Sequence, residues 1–239
     1  MFNGIDIRKL FWIFITIMII RGIVNFDEAE LMSTLLILPG LILGITVHEY
    51  SHARMSDKLG DPTPERQGRL TLNPLHHLDP VGTICLLFAG FGWGKPVEID
   101  PTYYRNPAKD SMKVALAGPV SNFIIAFVLF FIYALTYIFA PANNFTDIIV
   151  MCTYLGAYIN LSLGVFNLLP FPPLDGSKIW GYFLKGKAKE FLWNLERFST
   201  IILVILYVTE LPSLIITPVV GGIANGMTWI IGQILSLFI

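Results

Sequence analysis

Residues 48–52 read His-Glu-Tyr-Ser-His, and their types and spacing suit metal chemistry. Positions i and i+4 of an α-helix share a face, so His48 and His52 can each present a neutral imidazole nitrogen to one Zn²⁺ ion. Glu49, about 100° further round the helix, can reach a water on that ion. The motif closes an apolar run, 31–47, in which only Ser33, Thr34 and Thr46 have polar side chains. A charged side chain at the centre of a bilayer costs about 2.5–3.5 kcal/mol on insertion scales, so ionisable groups there read as a site with a partner. A metal ion is such a partner.

A catalytic zinc site takes three protein ligands and keeps one position open, and the motif supplies two. The third must come from elsewhere. His76 and His77 are candidates, as is Asp175 in the string Asn167-Leu168-Leu169-Pro170-Phe171-Pro172-Pro173-Leu174-Asp175-Gly176. Alone, a Pro-Pro-Leu-Asp-Gly string reads as a turn. The choice depends on the elements that carry these residues.

Of the 239 residues, 54% are hydrophobic and 14% charged, and the mean hydropathy is +0.66, the composition of an α-helical integral membrane protein. No basic, aromatic-interleaved stripe suggests nucleic acid. Cys85 and Cys152 lie in apolar surroundings and read as helix packing rather than redox chemistry. The first apolar run lacks a small-residue cleavage site and is followed by Arg21, Asp27, Glu28 and Glu30, so no cleavable signal peptide is expected.

Crossing roughly 30 Å of hydrocarbon takes about 20 mainly apolar residues. Stretches 31–56, 112–140, 147–169, 191–209 and 212–238 qualify. A sixth, 9–25, is shorter and carries Arg21, which can snorkel. With six spans and the N-terminus inside, fifteen of the sixteen Lys and Arg residues fall on the cytoplasmic side, Arg21 being the exception, and the short external connections 26–30, 141–146 and 210–212 carry no base. The positive-inside rule selects that orientation. The second and fourth spans then both run inward, which brings His52 and Asp175 to the same end of neighbouring helices and favours Asp175 as third ligand. Pro172 and Pro173 free backbone just before it. Two neutral imidazoles and one carboxylate leave a zinc site at net +1, and ionised Glu49 brings it near zero, which limits the cost of placing the ion in a membrane.

Between the second and third spans, 59–111 has a grammar of Gly, Pro and Asn with short alternating runs. Segments 68–72 and 95–99 read as strands, and 80–93 is an apolar stretch too short to cross, ending Gly90-Phe91-Gly92-Trp93-Gly94. A membrane-associated β-hairpin or re-entrant segment beside the site is the expectation, because irregular backbone at membrane depth must be buried in protein or line a wet cavity.

Taken together, the HEYSH string, the loop Asn73-Pro74-Leu75-His76-His77-Leu78-Asp79-Pro80-Val81-Gly82, the Gly118-Pro119-Val120-Ser121-Asn122 opening of the third span and 167–176 resemble the site-2 proteases over about 35–180. These are zinc metalloproteases that cut transmembrane segments within the bilayer. The resemblance is to short prokaryotic members, with no room for a PDZ or cystathionine-synthase-type module. The whole of 1–239 is expected to be one polytopic protease domain, with a catalytic core over 31–180 and a C-terminal helical pair over 191–238.

The resemblance implies that His48, His52 and Asp175 bind one Zn²⁺ per chain and that Glu49 is the general base. It implies cleavage of a transmembrane protein substrate at the cytoplasmic side of the cell membrane, as in regulated intramembrane proteolysis. Asn122 and Asn167, amides in apolar helices, are expected to bind the unwound substrate or the oxyanion. His77 is expected to fix its loop through hydrogen bonds. Gly40 and Gly44 share a face with His48 and read as a close-packing surface. Segment 95–99 or 68–72 could accept substrate as an added strand. A divalent metal transporter is the first rival, but no internal repeat is evident. A non-catalytic zinc-binding scaffold is the second, against which the intact Glu49 speaks.

Overall fold

The computed structural model describes residues 7–24, 28–89, 92–209 and 211–238. Gly90 and Phe91, and parts of the expected external connections at 26–30 and 210–212, lie outside the described residues. The helices in chain order are α1 (Ile7–Val24), α2 (Glu28–Lys58), α3 (Thr63–Arg66), α4 (Pro80–Ala89), α5 (Pro107–Phe139), α6 (Asn144–Asn167), α7 (Asp175–Phe183), α8 (Gly186–Glu196), α9 (Ser199–Val208) and α10 (Leu211–Leu235).

Among the described residues four helical stretches are long and apolar enough to cross a membrane: Leu31–Lys58, Pro107–Phe139, Asn144–Asn167 and Ser213–Leu235. The fifth expected span, 191–209, is broken: α8 and α9 meet at 84°, and only as one bent unit do they reach span length. The composition explains the break. Leu192 of α8 is buried while Lys187, Phe191 and Glu196 are exposed, an amphipathic pattern, whereas α9 is apolar from Ile201 to Leu206. The described apolar part of the first expected span, Trp12–Val24, is shorter than a span. It packs on α4, where a Cβ at Gly22 would collide with the Phe88 carbonyl.

The centre of the molecule is the packing of α2, α5 and α6 on one another. Lipid tails are as apolar as leucine, so helices associate in a bilayer through close packing and hydrogen bonds. The glycines supply the first. A Cβ on Gly40 would run into the backbone of Gly156, and one on Gly44 into the side chain of Asn160, so the Gly40/Gly44 face is where α2 meets α6. Towards the other side of α5 and α6, Ala126, Phe130, Ala157 and Leu161 form a buried cluster with Val220, Ala224 and Ile231 of α10. Cys85 is buried, Cys152 is partly buried, and both thiols are free.

The expected hairpin takes a different form. Among the described residues neither 68–72 nor 95–99 is a strand; the two ends of the segment touch through a single antiparallel bridge, Leu78 to Gly94. The reason lies in where the backbone donors go. Lys95 N–H bonds to the His77 carbonyl (2.8 Å), Val97 N–H to Glu49 Oε2 (2.9 Å) and Asp100 N–H to Asp61 Oδ2 (2.8 Å). The buried Arg69 guanidinium donates to the carbonyls of His76 and Lys95. Side chains thus take the partners that a second strand would need. Gly68, at φ +65°, also turns the chain in a region other residues rarely adopt.

Asp61 anchors this loop to the end of α2. It is fully buried, and its carboxylate accepts from Thr63 N–H (2.9 Å), Ser56 Oγ (2.7 Å) and Asp100 N–H. Burial opposes its ionisation, but these hydrogen bonds outweigh burial and hold the carboxyl below the ordinary carboxylate value.

Candidate metal centre

His48 and His52 sit on one face of α2, one turn apart, with rings in edge contact. Both are buried. Their Nε2 atoms are 3.0 Å apart, and each is 3.2 Å from Asp175 Oδ2. Asp175 arrives from the opposite direction. α6 ends at Asn167, the proline-rich link over 168–174 reverses the chain, and Asp175 opens α7 with Leu174 as N-cap. The reversal is tight enough that a Cβ on Gly176 would strike the backbone of Leu168 and Leu169. A carboxylate in the first turn is also favoured by the helix dipole.

The tautomers of both imidazoles follow from their outer nitrogens. His52 Nδ1 lies 2.7 Å from the Val114 carbonyl, which can only accept, so Nδ1 carries the proton and Nε2 presents a lone pair. His48 Nδ1 lies 2.6 Å from Asn122 Oδ1 and is likewise the donor. With both imidazoles neutral, as metal ligation requires, two lone pairs and a carboxylate oxygen converge with no proton among them. Left alone this arrangement is unfavourable, and Asp175 Oδ2 is a buried oxygen without a hydrogen-bond partner. A cation resolves it. Ligand atoms at about 2.0–2.1 Å from a tetrahedral ion stand roughly 3.3 Å apart, close to the observed separations. Among the described residues these three form the one grouping of His, Cys, Asp or Glu compact enough to hold a metal.

Gly118 of α5 makes the third wall. A Cβ there would lie 2.5 Å from His52 Nε2 and 2.6 Å from His48 Cε1 and Nε2, so only glycine lets α5 pass this close. Glu49 faces a cavity of about 980 Å³ that His48, His52, Asn167 and Asp175 also line. Trp12 and Phe14 of α1 and Leu203 and Tyr207 of α9 extend the same cavity with apolar surface.

The expected amides part company. Asn167 lines the cavity, its Nδ2 bonded to the Leu163 carbonyl at 3.0 Å. Asn122 is fully buried behind His48, and its amide is committed to His48, to Asn160 Oδ1 (3.0 Å) and to the Gly44 carbonyl (3.3 Å), so it cannot also bind substrate or an oxyanion. His76 is exposed, and His77 is fully buried with Nε2 2.7 Å from the Thr71 carbonyl, a loop-fixing bond. Neither joins the cluster. Sequence reading passed over Asn160, although a lone amide in an apolar helix, two turns before Asn167, was the available signal.

The family pattern for Peptidase family M50 matches residues 135–209. A Bacillus subtilis protein named as a candidate zinc metalloprotease, YwhC, is 38% identical over 184 residues, covering 76% of this chain and 84% of that one. Rip2 of Mycolicibacterium smegmatis, named in the same way, is 29% identical over 180 residues, 73% of this chain and 67% of its own. Rip2 of Mycobacterium tuberculosis strain H37Rv is 26% identical over 209 residues, 85% of this chain and 73% of its own. No solved structure matches the chain.

Proposed function

The chain belongs to peptidase family M50, and from that premise and the geometry of the site we propose that it is a zinc-dependent endopeptidase hydrolysing a peptide bond within or next to the transmembrane segment of a membrane protein. One observation carries the reading: His48 Nε2, His52 Nε2 and Asp175 Oδ2 converge within 3.2 Å while both outer imidazole nitrogens are pinned as donors. His48, His52 and Asp175 hold the ion and Glu49 is the general base. Zn²⁺ bound there supplies Lewis acidity and a water of pKa about 7.

Each protein group has a defined task. Val114 and Asn122 keep the imidazoles in the ligating tautomer. Glu49, on the cavity wall, takes a proton from the attacking water and returns it to the leaving amine. Asn167, which lines the cavity, offers an amide to an unwound substrate backbone, which loses its helical hydrogen bonds as it enters. The apolar surface from α1 and α9 suits the side chains of a membrane-spanning segment. The catalytic core runs over 31–180. His52 lies six residues before the end of α2, roughly 9 Å along the axis, and the base-rich side of the sequence puts that end toward the cytoplasm of a cell membrane.

The test uses purified protein in nanodiscs with a panel of single-span substrates. Cleavage should stop with a chelator and return with Zn²⁺. Glu49→Gln should keep about one zinc per chain and lose at least roughly 10²-fold in rate. Asp175→Ala should lose the metal. Persistent cleavage in Glu49→Gln would remove Glu49 as the base, and full zinc content in Asp175→Ala would remove that residue from the site.

A further inference from the structure

Asn160 is fully buried in α6 at the point where α6 touches α2, and every polar atom of its amide is used. Nδ2 donates to the carbonyl oxygens of Gly40 (2.9 Å) and Gly156 (2.8 Å), while Oδ1 accepts from Asn122 Nδ2 (3.0 Å). A backbone carbonyl can only accept. The Asn160 amide therefore cannot turn over without setting oxygen against oxygen at two contacts.

That orientation is handed on. Because Asn160 presents an oxygen, Asn122 must present Nδ2 to it, an orientation to which the longer bond to the Gly44 carbonyl (3.3 Å) also contributes. Asn122 Oδ1 is then the atom facing His48 Nδ1, which makes that nitrogen the donor and leaves Nε2 bare toward His52 and Asp175. We propose that Asn160 is a positioning residue which, through Asn122, holds His48 in the Nδ1–H tautomer. The role rests on the reading of His48 as a metal ligand. It goes beyond packing glue, since it specifies which atom of a neighbour carries a proton.

Two variants separate positioning from packing. Asn160→Leu keeps the approximate size and removes the amide. Asn160→Asp, protonated in this apolar setting, can donate its O–H to the Gly40 or Gly156 carbonyl while its other oxygen still accepts from Asn122. Both are purified in detergent and read in two ways. Zinc affinity is measured by competition with a chromophoric chelator, and the His48 tautomer by ¹⁵N chemical shifts of zinc-free, histidine-labelled protein, with His48→Gln giving the assignment.

Asn160→Leu should weaken zinc binding by about tenfold or more, the usual cost of losing an outer-shell partner, and populate the Nε2–H form of His48. Asn160→Asp should keep the wild-type tautomer and recover most of the affinity. A purely structural role predicts the reverse order, because an apolar residue fits a buried helix contact better than a carboxyl does. Wild-type tautomer and affinity in Asn160→Leu would overturn the proposal, as would Asn160→Asp behaving no better than Asn160→Leu. Should Asn160→Leu fail to fold, Asn160→Asp decides alone: retained tautomer and affinity support the relay, and their loss overturns it. Absence of zinc binding in the wild type would sink the metal reading instead, and the zinc-free tautomer would still decide the relay.

Discussion

The backbone N–H of Val97 donates to Glu49 Oε2 over 2.9 Å, so the proposed general base is held by the loop between α4 and α5 and not by its own helix. Val97 and Glu49 both line the cavity. Proline at 97 cannot donate, whereas alanine can. Val97→Pro should therefore lower the cleavage rate by at least about tenfold relative to Val97→Ala, in the range expected for a displaced acid–base group. Zinc content should be equal in both, since no proposed ligand is touched. Equal rates for the two variants would show that this hydrogen bond does not position Glu49, and a faster Val97→Pro enzyme would make it a restraint on the base.

Much of this site was legible because its chemistry is local in sequence. Four-residue spacing on one helix puts His48 beside His52 whatever surrounds them, and the break before Asp175 is marked by prolines. The orientation argument that joined the two assumed six spans, whereas the described residues contain four, or five if the bent pair is one span, so the meeting of His52 with Asp175 rests on the geometry. The hydrogen bonds of Asn122 were not legible, because its partners, His48 and Asn160, come from two other helices, and no pattern within α5 reveals which way an amide points. The strands at 68–72 and 95–99 failed for a related reason: alternation signals an extended chain, while the partner that completes a strand is a tertiary matter, and here Glu49, Asp61 and Arg69 took the partner's place. The broken span at 191–209 shows the limit of summed apolarity, since the mean over such a window hides that its first part is amphipathic.

His77 gives the loop over 59–106 a pH dependence. Burial is the main influence on its imidazole, aided by Arg69 and His76 and opposed by the Thr71 carbonyl and Glu49, and the net result is a value below the ordinary 6.5. The unfolded chain then takes up a proton as pH falls through 6.5 while the folded loop refuses it, so stability present above that pH is lost below it. Limited proteolysis of the loop should accelerate between pH 7.5 and 5.5, and His77→Gln should flatten the profile even if it raises the baseline. Asp61 cannot mimic this effect, because its carboxyl titrates below the ordinary carboxylate value. A profile unchanged by His77→Gln would assign the dependence to another group.

Topology is open to chemical labelling, and the structure decides where the probes go. Ser56 is fully buried and bonded to Asp61 and Tyr104, so a cysteine there would be silent on either side of the membrane. Gln67 and Lys187 are exposed on the side proposed as cytoplasmic, and Asn143, the N-cap of α6, is exposed on the other. In a background without Cys85 and Cys152, an impermeant thiol reagent added to intact cells should label Asn143→Cys and spare Gln67→Cys and Lys187→Cys. The opposite pattern would invert the proposed orientation and move the site to the external face.

Gly118→Ala tests the metal centre without altering a polar group. Alanine favours a helix over glycine by about 0.8–1.0 kcal/mol, so helix propensity alone predicts a more stable α5. The new methyl, however, would stand 2.5 Å from His52 Nε2 and 2.6 Å from His48 Nε2, far inside any real contact. Neither ring can withdraw freely, because Asn122 and the Val114 carbonyl hold their outer nitrogens at 2.6 and 2.7 Å. The two consequences run the same way: zinc affinity should fall at least about tenfold, as for other disturbances of ligand orientation, and zinc-free protein should lose thermal stability rather than gain it, because overpacking costs about 1–3 kcal/mol and outweighs the helix-propensity gain. Chelator competition and thermal unfolding of the same preparation measure both. Full zinc affinity in Gly118→Ala would mean that α5 can shift away from the histidines, and the close approach seen here would lose its role in shaping the site.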